Sequence, residues 1–388
     1  MEITIDNKPR KVFDESVVAF LDELSSMLMK SPVTRQYPDL MSFAFYIRKA
    51  NLLKIKNTTL QLQLSTSTHL GRGLCFHIAP SNIPINFAFS WVFSLLAGNA
   101  NIVRLPSKEF PQVTALIGVV DKLLAQPANS GLRTSNLFVR YPRTDNETTA
   151  RYSAMADCRM IWGGDRTIAE IRTLPTKPRC VDIAFADRYS VAIIDGEAVL
   201  SADDEKIARL ANDFYNDTYL VDQNACSSPQ LILWEHDSPS ARERFWSAVR
   251  DFAATRYQLQ DAVAVDKYTA LCEDAVGNSK LAGVSREGNL LYRLELSALE
   301  PAQIERRGKG GYFYEYALDA RRDFFDIVTE KVQTVTYFGI NARSLAEDIA
   351  ASRLRGIDRI VPIGKALDIG AIWDGHDLIC ELSRESMI

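Results

Sequence analysis

The segment Asp222-Gln223-Asn224-Ala225-Cys226-Ser227-Ser228-Pro229-Gln230 puts a cysteine in a short polar turn, just ahead of the apolar run Leu231-Ile232-Leu233-Trp234. A thiolate is an intrinsically strong nucleophile, so a cysteine exposed in such a turn can carry an acyl group. An ordinary loop cysteine fits the same segment equally well. Pro80-Ser81-Asn82-Ile83-Pro84 is a second candidate. Asn82 either caps a helix with Pro84 in its first turn, the commoner use, or aims its amide at a developing oxyanion. Gly163-Gly164-Asp165 stands where a strand runs into a helix. Glycines there admit a phosphate to the helix N-terminus, and serve a tight turn just as well. Arg104, Ser107 and Lys108 could grip an adenosine ribose, in particular its 2′-phosphate, although surface charge is the commoner role for such residues. Gly-x-Gly-x-x-Gly, Walker and Gly-x-Ser-x-Gly patterns are absent.

These residues need elements to position them. Apolar positions Val17, Val18, Phe20, Leu21, Leu24, Met27 and Leu28 have helical spacing over 15–29, and a second helix is expected from about Pro38 to Leu53. From Gly71 onward strands alternate with helices: strand 74–79, helix 84–97 closed by Gly98-Asn99, strand 101–105, helix 110–125, strand 137–140, a helix near 147–157, and strand 159–162 followed by another helix. That alternation predicts an α/β protein with a parallel sheet covered on both faces, which binds ligands beyond the carboxyl ends of its strands. Strand 189–194, helix 203–219, the Cys226 turn, strand 230–234 and helix 239–256 begin a second α/β domain. The expected division is 1–195, 196–355 and a segment 356–388 that returns to the first domain or to a partner. Gly308-Lys309-Gly310-Gly311, after Arg306 and Arg307, reads as a flexible basic loop, and the cluster Tyr312, Phe313, Tyr314 and Tyr316 reads as core.

Composition limits the class. The 388 residues are 47% hydrophobic and 24% charged with a net charge of −4, which describes an ordinary globular protein of two or three domains. Interspersed charges of both signs argue against a nucleic-acid partner. Cys75, Cys158, Cys180, Cys226, Cys272 and Cys380 form no Cys-x-x-Cys pair, and His69, His77, His236 and His376 are equally scattered, so no metal site is expected. The acidic start Met1-Glu2-Ile3-Thr4-Ile5-Asp6 lacks the apolar core of a signal peptide, and the apolar stretch 83–97 is too short to span a bilayer. The expectation is a cytoplasmic protein.

In this order the pieces resemble the aldehyde dehydrogenase superfamily, and within it the LuxC-type acyl-CoA reductases. The likeness is carried by Ile78-Ala79-Pro80-Ser81-Asn82-Ile83-Pro84 with Ala97-Gly98-Asn99, by Cys226 after Gln223, and by Tyr37-Pro38-Asp39-Leu40 and Ile47-Arg48-Lys49-Ala50-Asn51 near the amino end. The tail Asp358-Arg359-Ile360-Val361-Pro362-Ile363-Gly364 with Trp373-Asp374-Gly375 looks specific to the LuxC branch. The resemblance implies a Rossmann-type cofactor domain beside a catalytic α/β domain. It makes Cys226 the catalytic cysteine and Asn82 the oxyanion-hole amide. It implies NADPH or NADH bound by Pro80, Ser81, Arg104, Ser107, Gly163, Gly164 and Glu330. Hydrolytic relatives carry Glu-Leu-Gly-Gly-Lys where this chain has Phe185-Ala186-Asp187-Arg188-Tyr189, so Phe185 takes the place of the water-activating glutamate, although Asp187 is a carboxylate nearby. Reduction of an acyl thioester to an aldehyde is therefore expected. The alternatives are aldehyde oxidation and a non-catalytic nucleotide-binding subunit. The resemblance further implies a homo-oligomer served by an acyl-protein synthetase or an acyl transferase.

Overall fold

The computed structural model describes residues 5–60, 67–79 and 84–387. They form two compact units, Met1–Ala186 with Gly370–Ile388, and Asp187–Ile369.

The first unit contains strands β1 (Ser67–Gly71), β2 (Leu74–Ile78), β3 (Ala100–Arg104), β4 (Asn136–Val139), β5 (Cys158–Trp162) and β6 (Val181–Phe185). Five of them make a parallel sheet in the order β4-β3-β2-β5-β6. Leu-Cys-Phe-His-Ile of β2 is buried at every position, because helices cover both faces of a parallel sheet. One of them, Asn86–Leu96, is mostly apolar and buried throughout. It ends at Gly98, whose φ of 90° is the left-handed value that favours glycine, and whose Cβ, if present, would lie 2.2 Å from the Arg10 carbonyl. Asn99 then accepts from the Arg72 and Gly73 N–H groups at 2.7 and 3.1 Å and donates to the Leu382 carbonyl at 2.8 Å.

The single helix expected over 38–53 is two helices, Pro38–Tyr46 and Lys49–Leu60. Two side chains make the break, one nearby and one distant in sequence: Asn51 Nδ2 donates to the Tyr46 carbonyl at 2.7 Å, and Asp22 accepts from Lys49 N–H at 2.8 Å.

The second unit is built on β7 (Tyr189–Asp195), β8 (Pro229–Glu235), β9 (Leu281–Glu287), β10 (Leu291–Leu296), β11 (Tyr312–Ala317), β12 (Val332–Phe338) and β13 (Arg359–Pro362). Their order is β13-β12-β7-β8-β11-β10-β9, with every neighbouring pair parallel except β9 and β10. The sequence places this domain at 196–355. Because β7 and β13 hydrogen-bond into this sheet, the unit runs from 187 to 369. Side chains of β11 alternate between its two cores: Tyr312 and Tyr314 pack with Tyr189, Leu233 and Phe324, while Phe313 packs with Phe214, Trp234 and Trp246. The aromatic run is core.

Residues 370–388 rejoin the first unit with β14 (Ile372–Trp373), β15 (His376–Asp377) and β16 (Ser383–Met387), the last antiparallel to β1. No helix among the described residues is long and apolar enough to cross a membrane.

Candidate active site

The turn carrying Cys226 follows helix Asp204–Asp217 and enters β8. Asp222 and Gln223 both adopt left-handed conformations, with φ of 52° and 58°. Each such non-glycine residue costs about 1–2 kcal/mol and needs compensating contacts. Gln223, buried, supplies them. Its Nε2 donates to the carbonyls of Pro229 (3.0 Å) and Tyr312 (2.9 Å), and its Oε1 accepts from the N–H groups of Gly311 (3.2 Å) and Tyr312 (3.0 Å). One side-chain amide therefore makes four bonds and ties the turn to the start of β11. Tyr257 OH donates to Asp222 Oδ1 at 2.7 Å, Ser228 Oγ to the Asp217 carbonyl at 2.7 Å, and Ser190 Oγ to the carbonyl of Cys226 itself at 2.6 Å.

Gly308 to Gly311 form the other wall of this turn. Gly308 N–H donates to Gln230 Oε1 (2.9 Å), Gly310 N–H to the Asp222 carbonyl (3.0 Å), and buried Lys267 donates to the Gly310 carbonyl (2.7 Å). This corrects the expected flexible loop: it is pinned at each end. Gly310 and Gly311 have φ of 58° and 87°, so glycine is required here for conformation rather than for mobility.

The thiol is half-buried, and its Sγ lies 3.7 Å from Asp187 Oδ1 in a hydrogen bond. Arg307 Nη1 sits 3.2 Å from the same oxygen, and Arg307 Nη2 donates to the Arg188 carbonyl. Asp187 precedes β7, Cys226 precedes β8 and Glu330 precedes β12. These three strands are parallel neighbours, so all three residues lie at the amino end of one sheet. Glu330 is exposed and ion-paired with Arg355.

In the first unit, chain order reverses between β2 and β5, which opens a crevice at their carboxyl ends. Gly163 and Gly164 follow β5, and Gly164 caps helix Asp165–Arg172. Neither glycine has a positive φ, so the backbone does not require them. A Cβ on Gly163 would come within 3.1 Å of Thr167, whereas a Cβ on Gly164 would meet nothing within 4 Å. Arg143 donates to Thr167 Oγ1 at 3.0 Å and brings a cation to this first helical turn. Open space, a helix N-terminus and a cation together fit a dinucleotide phosphate. Arg104 ends β3 beside β2; it is buried, with its guanidinium 4.6 Å from the centre of the Tyr141 ring, and desolvation holds its pKa below the usual value. Ser107 is exposed just beyond. Phe185 is buried and stacked on Trp162 at 3.7 Å, with Trp373 and His376 against its edge. Pro80, Ser81 and Asn82 lie outside the described residues. The helix that follows them starts at Asn86, with Ile85 in the cap position and no side-chain cap bond. Among the described residues no three His, Cys, Asp or Glu side chains stand together as a metal site.

A family model of the acyl-CoA reductases (LuxC) matches residues 53–266, more than half of the chain and including Cys226. The chain belongs to the LuxC acyl-CoA reductase family. No curated protein matches the sequence. Among solved structures, a mutant proline utilization A from Bradyrhizobium japonicum aligns over 96% of this chain and 42% of its own, with a TM-score of 0.65 and 14% identity. The chain thus spans about two fifths of that relative. The NADP-dependent glyceraldehyde-3-phosphate dehydrogenase of Bacillus halodurans C-125, complexed with NADP, aligns over 96% of this chain and 85% of its own, with a TM-score of 0.61 and 12% identity. The fold is aldehyde dehydrogenase-like.

For this LuxC-family chain, the sequence left several residues around the Cys226 turn unassigned. Asp187 was visible only as a carboxylate near Phe185, and Arg307 only as part of a basic loop; the hydrogen bond from Cys226 to Asp187 spans 39 positions. Lys267 carried no pattern of its own. The one local signal was the pair Gln223 and Gln230 bracketing the cysteine, since two amides so close to a buried strand must find backbone partners.

Proposed function

We propose that this chain reduces an acyl thioester to an aldehyde with a reduced nicotinamide nucleotide, through an acyl group carried on Cys226. The observation that carries the reading is the Cys226 turn, held by four bonds from Gln223 and by Ser190, with its thiol partly open and hydrogen-bonded to a carboxylate. Membership of the acyl-CoA reductase family supports the choice of a thioester over an aldehyde as substrate.

Cys226 Sγ attacks the thioester carbonyl, Asn82 and a backbone N–H stabilise the oxyanion, and the thiol leaves. Gly163, Gly164 and the first turn of helix Asp165–Arg172 would hold the pyrophosphate. Arg104 and Ser107 would hold the adenosine ribose, with NADPH favoured over NADH, and Pro80, Ser81 and Glu330 would border the nicotinamide end. When bound, the nucleotide supplies the hydride. The adduct then collapses, breaking the bond from carbon to Cys226 Sγ; the aldehyde leaves and the thiolate takes a proton from solvent to recover the thiol. The acyl donor is CoA, a carrier protein or a partner acyl-protein synthetase or transferase, and a homo-oligomer in the cytoplasm is the working form.

Intact mass spectrometry after incubation with labelled acyl-CoA, without nucleotide, tests the acyl carrier. One acyl group on wild type and none on Cys226→Ala is expected. An unmodified wild type, or an equally labelled Cys226→Ala, would sink the reading.

A further inference from the structure

We propose that Asp187, oriented by Arg307, is the proton carrier of the acyl-transfer step: it takes the Cys226 proton during attack and returns it to the departing thiol. This rests on the reading of Cys226 as acyl carrier. Three observations carry it. Sγ and Asp187 Oδ1 are 3.7 Å apart at the amino end of neighbouring strands of one sheet. Arg307 holds that same oxygen at 3.2 Å while its other nitrogen is tied to the Arg188 carbonyl, so the carboxylate cannot swing away freely. Asp187 is 59% exposed, which leaves it open to a group entering from solvent.

The chemistry follows from ordinary acidities. A carboxylate is a far weaker base than a thiolate, so at rest the proton stays on sulfur and points at Oδ1. As Sγ bonds to the acyl carbon the sulfur becomes strongly acidic, and the proton passes to Asp187. When the tetrahedral adduct collapses, the bond from carbon to the leaving sulfur breaks, and that sulfur takes the proton from Asp187. Thioester and enzyme thiol become acyl-enzyme and free thiol, with no net gain or loss of protons or electrons. Histidine is the usual carrier for such a transfer, but His236 bonds instead to Asp195, at the carboxyl end of β7.

A leaving group that departs readily as an anion needs no returned proton, so with it Asp187 has only the Cys226 proton to take up and its loss is felt less. Single-turnover acylation of Cys226 is therefore measured with acyl-CoA and with the matching thiophenyl ester, in wild type, Asp187→Asn and Asp187→Glu. The Asn variant is expected to lose about 100-fold or more on acyl-CoA and less than about 10-fold on the thiophenyl ester. The Glu variant should regain part of the acyl-CoA rate. Retained thiophenyl-ester reactivity also shows that the Asn variant is folded. Equal losses on both esters, or no loss on acyl-CoA, would overturn the proposal and leave Cys226 as acyl carrier intact. A wild type that is acylated by neither ester would overturn the acyl-carrier reading, and the proposal with it.

Discussion

Gln223 is the side chain whose loss should be felt first in the Cys226 turn. Its four hydrogen bonds offset two left-handed residues, and in alanine's place four backbone groups would lack partners. Gln223→Ala is expected to destabilise the protein by about 3 kcal/mol and to slow acylation of Cys226, as measured by urea unfolding and stopped acylation reactions. Unchanged values for both would mean that the turn holds itself. Asp217 gives a pH signature at the same scale. Buried and accepting from Gly364 N–H at 2.6 Å and Ala366 N–H at 3.0 Å, it is pushed up to about 7, because desolvation outweighs those bonds. Its unfolded value is about 4. The folded state therefore keeps a proton that the unfolded chain has lost between those limits. The contribution of this group to stability is full below about pH 4 and is lost as pH rises to about 7. The unfolding free energy of wild type minus that of Asp217→Asn should fall across this window and flatten above it. A difference independent of pH would contradict the assignment.

Among the elements, the proposed nucleotide and acyl sites use opposite ends of their sheets. The parallel sheet of the first unit presents its carboxyl end, with a glycine whose absent side chain leaves open space at a helix N-terminus. The sheet of the second unit presents its amino end, where Asp187, Cys226 and Glu330 precede adjacent strands. Gly164→Ala separates fold from ligand: with nothing within 4 Å of the new methyl group, the melting temperature should stay within about 1 °C, while nucleotide affinity falls several-fold by calorimetry. A stability loss with affinity unchanged would make Gly164 a structural residue. Most of these elements could be read from sequence. Strand β2 is a continuous apolar run, Gly98-Asn99 stops a helix, and the cysteine turn stands between a helix and an apolar strand. The loop Gly308 to Gly311 could not be read, since glycines mark flexibility and obligatory left-handed turns alike, and its anchors Gln230 and Lys267 come from distant segments. The break between Tyr46 and Lys49 was hidden for the same reason: Asp22, one of its two causes, lies 27 positions away.

At the scale of the whole molecule, 53–266 carries the family signature and the cysteine, while the tail divides, 356–369 staying with the second unit and 370–388 with the first. That division could not be foreseen, because short strands such as β14 and β15 leave almost no periodic signal. On the proposed function the acyl group on Cys226 is reduced rather than hydrolysed. The direct measurement isolates the labelled acyl-enzyme, mixes it with NADPH or NADH, and separates aldehyde from acid. One equivalent of aldehyde per equivalent of nucleotide oxidised, with acyl-Cys226 disappearing at the same rate, is the expected result. Free acid as the product, or aldehyde formed equally by Cys226→Ala, would contradict it.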